Sequence, residues 1–233
     1  YTDPLLAGDC LPFTLSTIYG YANLATGSST RSVSLTGGGT GGAFYTSTSC
    51  ATPSSTVNVA AGVSTAAFYY KTNTAQVTAI TLSSSAINTY SKAVTVVGNI
   101  GVTLAVTGPS ELIKNKCGTY TLSVYDANGN ALYNPSGTAL TLGVGGNGAF
   151  YQDSSCTSTA TTNSIPVLTN SVATYFKNSQ NGSVTLRSGS TSISLGSRVV
   201  SMTIGTGEAF TITGGDPMIH TGHCSNNAFT ATL

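Results

Sequence analysis

The chain has 233 residues, of which 40% are hydrophobic and only 6% charged, and its formal net charge is +1. With no clustered Lys and Arg it has no electrostatic grip for nucleic acid. Its β-branched, hydroxyl-rich composition is not that of a disordered chain, and no run of about 18 apolar residues is present to span a membrane as a helix.

The chain opens at Tyr1 without a signal-peptide pattern, as expected of a processed chain or of a piece of something longer. Its first strand-like stretch is CLPFTLS (10–16), followed by GAFYTSTSC (42–50), AAFYYK (66–71) and VTVVG (94–98). The same phrases then return in the same order as CGTYTLS (117–123), GAFYQDSSC (148–156), VATYFK (172–177) and SMTIG (201–205). Cys10, Cys117 and Cys224 are 107 residues apart, and Cys50 and Cys156 are 106 apart. Landmarks matched in order at one spacing mean tandem duplication of a single unit. The expected units are 1–98, lacking its first strand, then 99–206, then 207–233 as the start of a third or as a donated tail strand. The counterpart of GVTLAVT (101–107) is absent from the first unit and reappears as EAFTITG (208–214).

Within the second unit GVTLAVTG (101–108) alternates Val102, Leu104 and Val106, and TYTLSVY (119–125) alternates Tyr120, Leu122 and Val124, both strand patterns. DANGN (126–130) contains Asn-Gly, the usual hairpin signal. ALTLGV (139–144) reads as the next strand and GGNGAFY (145–151) as a Gly-rich turn. IPVL (165–168), VATYF (172–176), SVTLRS (183–188) and RVVSMTI (198–204) complete the set. No stretch has helical period. Short strands separated by Gly, Asn and Ser turns predict an all-β fold of tandem immunoglobulin-like β-sandwiches.

TLSVYDANGNAL (121–132), followed by a strand and then Gly-Ala-Phe, resembles the bacterial Ig-like domains of the invasin and intimin type. In the first unit the matching stretch is TLSTIYGYANLA (14–25), where Asp-x-x-Gly-Asn is replaced. The resemblance implies extracellular bacterial stalks or adhesins, and no active site.

Four cysteines allow three connectivities. Repeat symmetry favours Cys10–Cys50 and Cys117–Cys156, each closing a loop of about 40 residues and contributing roughly 3–4 kcal/mol. Such bonds imply an oxidising, secreted or surface setting. Cys224 has no partner in this pattern and is a candidate for a bond to another chain.

Other clusters carry less. His220, His223 and Cys224 could ligate zinc or copper but have no fourth ligand nearby. Asp126, Asn128 and Asn130 echo a calcium loop with too few carboxylates. Histidines occur only in 207–233 and glutamates only at 111 and 208, which leaves no credible triad or paired-carboxylate site. No enzyme activity and no cofactor are expected. The GAFY and AFYY aromatics fit core packing better than a sugar platform. Asn181-Gly182-Ser183 is an acceptor sequon on a turn.

The expected function is structural. The first reading is a surface stalk or adhesin segment. The alternative is a pilus-like filament subunit whose strand 208–214 completes the sandwich of the next subunit. Expected partners are copies or neighbouring repeats of the chain, with host or cell-surface glycans as possible ligands.

Overall fold

The computed structural model describes residues 4–19, 23–85, 87–203, 211–214 and 229–232. Every regular element among them is a strand. The first group comprises β1 (Leu5–Leu6), β2 (Leu11–Ser16), β3 (Ile18–Tyr19), β4 (Asn23–Leu24), β5 (Arg31–Gly37), β6 (Ala43–Tyr45), β7 (Thr56–Val59), β8 (Thr65–Lys71), β9 (Gln76–Ser84) and β10 (Ile87–Val97). One sheet runs β1-β10-β9-β5-β7 and the facing one β2-β8-β6, while β3 and β4 pair alone.

The second group comprises β11 (Thr103–Thr107), β12 (Glu111–Ile113), β13 (Gly118–Tyr125), β14 (Thr138–Gly145), β15 (Ala149–Tyr151), β16 (Thr159–Ala160), β17 (Thr162–Ile165), β18 (Ser171–Lys177), β19 (Gly182–Gly189) and β20 (Gly196–Thr203). Its sheets run β12-β20-β19-β14-β17 and β11-β13-β18-β15-β16. Finally β21 (Thr211–Gly214) and β22 (Phe229–Thr232) pair antiparallel with each other.

Alternation decides which face of each strand is inside, because successive side chains point to opposite sides. In β2 it buries Phe13 and Leu15 and leaves Pro12, Thr14 and Ser16 outward. The first core gathers these with Val33, Leu35, Phe68 and Tyr70, and the second gathers Tyr120, Leu122, Val124, Leu140, Phe176 and Leu186. The two sandwiches correspond in detail. Leu5 pairs parallel with Val96, and Leu112, its repeat counterpart, pairs parallel with Met202.

Three local expectations differ from the structure. Ala149–Tyr151 is a strand and not part of a turn. The strand expected at 165–168 lies earlier, at Thr162–Ile165, because Pro166 has no N–H to extend the ladder. Asp126–Asn130 does turn the chain back, with Tyr125 bridging Ala131 antiparallel, but it does not join β13 to β14, which belong to different sheets.

The sandwiches differ at one edge. In the second, β11 pairs antiparallel with β13, with Leu104 opposite Val124 and Val106 opposite Leu122. In the first, β2 occupies the place of β13, pairs with β8 on one side, and has no described strand on the other.

Candidate functional site

The place where the two sandwiches meet is built from asparagines around one buried carboxylate. Asp126 is 2% exposed. Its oxygens accept from the main-chain N–H of Asn99 at 3.0 Å, of Asn128 and Asn130 at 2.9 Å each, and from Asn130 Nδ2 at 2.9 Å. Burial pushes the Asp126 pKa up. The Asn130 side chain and the N–H groups of Asn99, Asn130 and Asn128 outweigh it and hold the carboxyl below its ordinary range.

Asn130 and Asn99 carry the tie to the first sandwich. Asn130 Nδ2 donates to the Asn73 carbonyl at 2.8 Å, and its Oδ1 accepts from the Ala75 N–H at 2.9 Å. Asn99 Nδ2 donates to the Ala7 carbonyl at 3.0 Å and to Asp9 Oδ1 at 3.1 Å. The approach is close: a Cβ on Gly98 would lie 2.0 Å from the Ala131 carbonyl oxygen, so that position requires glycine. The calcium reading of Asp126, Asn128 and Asn130 does not fit this geometry. The carboxylate faces N–H donors on every side, and a cation would have to displace them.

The cysteines are bonded as Cys10–Cys50 and Cys117–Cys156, with Cα atoms 5.8 Å apart in each pair. Cys50 and Cys156 share a left-handed backbone, with φ of 47° and 53°. Each closes a turn, donating its N–H to Ser47 and Asp153 respectively. Asp153 also accepts from the N–H groups of Ser158, Thr157 and Ser155, which lower its pKa against a smaller opposing effect of burial.

The open edge of β2 borders a groove of about 530 Å³, lined among others by Leu15, Thr17, Val33, Leu82 and Tyr90. Ile18, Leu24 and Tyr90 on this side of the first sandwich are 60%, 62% and 59% exposed.

The remaining candidates separate. His220, His223 and Cys224 lie outside the described residues, as do 208–210 of the tail strand. Among the described residues, no three His, Cys, Asp or Glu side chains gather where a metal could bind. Phe44 and Phe150 are core residues, while Tyr45 and Tyr151 lie half-buried on the other face. Asn181 is exposed, next to the open turn at Gly182. Sequence reasoning did not find Asn99 as a joint residue. The available signal was that Asp-x-x-Gly-Asn stands in the second unit and not in the first.

Paired sheets with this repeated connectivity define an all-β, immunoglobulin-like fold. The fold is similar to that of FdeC, an Escherichia coli adhesin, with a TM-score of 0.61 at 15% identity, covering 99% of this chain and 70% of that one. Invasin, a bacterial integrin-binding protein, aligns at a TM-score of 0.39 and 14% identity over 92% of this chain and 40% of its own. A glycosyl hydrolase family 2 member from Bacteroides cellulosilyticus aligns at 0.38 and 6% over 84% and 29%. At such identities the FdeC likeness speaks of fold alone, and the two weaker alignments carry nothing further. No protein-family model and no curated protein sequence matches the chain.

Proposed function

We propose that the chain is a structural segment of a secreted or cell-surface protein, made of tandem Ig-like units that act as a stalk or adhesin shaft. The observation that carries this is the joint. Asn99, Asp126 and Asn130 tie the second sandwich to main-chain groups of the first, as a spacer that transmits force requires. A disulfide in each sandwich suits an oxidising exterior, and the FdeC likeness agrees with this setting. Its partners are neighbouring repeats of the same protein, with surface glycans as candidate ligands.

Single-molecule pulling tests the reading. Two separate unfolding events are expected. In each, the disulfide withholds the roughly 40 residues of its loop from extension, at about 3.5 Å per residue, until reductant is added. A chain that extends without resistance overturns a mechanical role.

A second reading is a filament subunit: among the described residues β21 pairs with β22 alone and belongs to neither sandwich. Head-to-tail strand donation does not close on itself and so propagates. Micrographs of the purified chain distinguish the two: ordered filaments support assembly, and uniform monomers overturn it.

A further inference from the structure

The outer face of one sheet in each sandwich repeats the same side chains. Along β8, alternation turns Phe68 and Tyr70 into the core and Tyr69 and Lys71 outward, and along β6 it buries Phe44 and turns Tyr45 outward. The second sandwich keeps Phe176 and Phe150 inside and turns Tyr175, Lys177 and Tyr151 outward. The registers set the tyrosines side by side: Tyr45 lies opposite Tyr69, and Tyr151 opposite Tyr175. Pro12 stands on the far side of Tyr69, and Pro53 on the far side of Tyr45. In the second sandwich those two places belong to Thr119 and Thr159. Each row crosses four strand positions and spans about 14 Å at the usual strand spacing.

Core packing does not account for these tyrosines, because the phenylalanines and Tyr70 fill the opposite face. All four are half-buried, and none of their hydroxyls has a hydrogen-bond partner among the described residues. A ring in this position rests on its neighbours and offers an apolar surface and a polar tip to what lies above. The next pair of outward residues is small: Thr14 opposite Ala67, and Thr121 opposite Ala173. Charge is sparse. One lysine flanks each row, opposite Ala43 or Ala149, and Asp153, two residues past Tyr151, turns its carboxylate to the N–H groups of Ser155, Thr157 and Ser158.

We propose that the two rows are platforms for a neutral polysaccharide of β-linked pyranoses. The sugars stack their axial C–H faces on the tyrosines and exchange hydrogen bonds with the tyrosine hydroxyls and the flanking lysine. The inference rests on the surface reading above for where such a polymer is met. Three features select this ligand. Tyrosine gives a rigid, amphipathic contact at low entropy cost, and a pyranose has both an apolar face and a hydroxyl rim to match it. The strand spacing of about 4.8 Å is close to the advance of one β-linked sugar, so neighbouring tyrosines meet neighbouring rings. Neither row carries the cluster of like charge that a strongly acidic or basic partner would need. The joint at Asn99 and Asn130 fixes one row relative to the other, so a polymer long enough to reach both gains by avidity.

The test is affinity electrophoresis of the full 233-residue chain in gels containing hydroxyethylcellulose or galactomannan, with dextran and heparin as comparators. The variants are Tyr45→Thr with Tyr69→Thr, Tyr151→Thr with Tyr175→Thr, and all four together, since threonine keeps the strand preference. The β-linked neutral polymers should retard the unaltered chain. Loss of one pair should weaken retardation about 10-fold, and loss of all four should abolish it. Amide shifts of the unaltered chain with cellohexaose keep the test independent of variant folding, and they should gather on β6, β8, β15 and β18. Retardation by heparin alone, or equally by dextran, overturns the ligand class. Retardation that survives the loss of all four tyrosines, or shifts elsewhere, overturns the site. A proline-rich peptide that shifts these amides when no polysaccharide does makes the rows a peptide site and overturns the inference. No binding at all overturns it too, and leaves the shaft reading to the pulling experiment.

Discussion

Asn130 of the second sandwich donates through Nδ2 to the main-chain carbonyl of Asn73 in the first, at 2.8 Å. The other hydrogen of the same amide goes to Asp126, and its oxygen accepts from the Ala75 N–H. One side chain thus fixes its own loop and the neighbouring sandwich together. Asn130→Ala removes both ties while leaving both cores intact. The expected outcome is a loss of about 1–2 kcal/mol and freer tumbling of the two sandwiches, which are then tied by the Asn99 bonds to Ala7 and Asp9. Residual dipolar couplings would then require separate alignment tensors. A single tensor for the variant would show that the joint holds without Asn130.

The Asp126 carboxyl predicts how acid acts on the joint. Burial raises its pKa, but the Asn130 side chain and three N–H donors bring it below the ordinary value. A depressed folded-state pKa contributes stability that is present above the unfolded value of about 3.9 and is lost as pH falls through the lower folded value. The joint should therefore be insensitive to pH from neutrality down to about 4 and loosen only below. The amide shifts of Asn99 and Asn130 report this directly. In Asp126→Asn the acid-dependent change at these amides should vanish, while the turn at Asp153 keeps its own. A transition at Asn99 near pH 6 would contradict the assignment.

The alternation of Leu104 with Val106, and of Tyr120 with Leu122 and Val124, made the main strands legible, and the cysteine spacing made the duplication legible. Local chemistry hid the rest. Gly148, with φ of 108°, ends its turn one residue before Ala149, so the strand β15 starts inside what looks like a Gly-rich loop. The strand before Pro166 is Thr-Asn-Ser-Ile, which has no apolar alternation to announce it. The Asn-Gly of DANGN looks like a hairpin between successive strands, but Asp126 gathers the N–H groups of Asn128 and Asn130 and folds the loop onto itself. The joint was not legible because most of its partners on the first sandwich are main-chain groups, of Ala7, Asn73 and Ala75, which leave no mark on residue identity.

The two cores place one hydroxyl differently, and the difference is measurable. Phe13 meets Tyr70, and Tyr120 meets Phe176, edge to face with centroids 6.4 Å apart in both. The Tyr70 hydroxyl donates to the Gly38 carbonyl at 2.6 Å. The Tyr120 hydroxyl is buried with no partner among the described residues. Tyr70→Phe should cost about 1–2 kcal/mol, because it leaves a carbonyl without its donor. Tyr120→Phe should be neutral or stabilising, because it removes a desolvated group that gains nothing in return. Denaturant unfolding of the two variants decides it. An equal cost for both would mean that water completes the Tyr120 hydroxyl.

The disulfides yield a prediction in which backbone and covalent effects separate. Closing a loop of about 40 residues contributes about 4 kcal/mol per sandwich through the unfolded chain. Because each bond lies within one sandwich, the losses on removing them should add. Cys50 also sits at a positive φ of 47°, where a side chain is strained. Opening the bond as Cys10→Ser with Cys50→Ser keeps that strain, while Cys10→Ser with Cys50→Gly relieves it. The glycine version should be the more stable of the two by about 1 kcal/mol, although glycine also frees the unfolded chain. The same order is expected for Cys117→Ser with Cys156→Ser or Cys156→Gly, since Cys156 has φ of 53°. Urea unfolding of the four variants reads both quantities. If serine equals or exceeds glycine at both sites, the left-handed turns relax once the bond is gone, and the disulfide itself imposes their conformation.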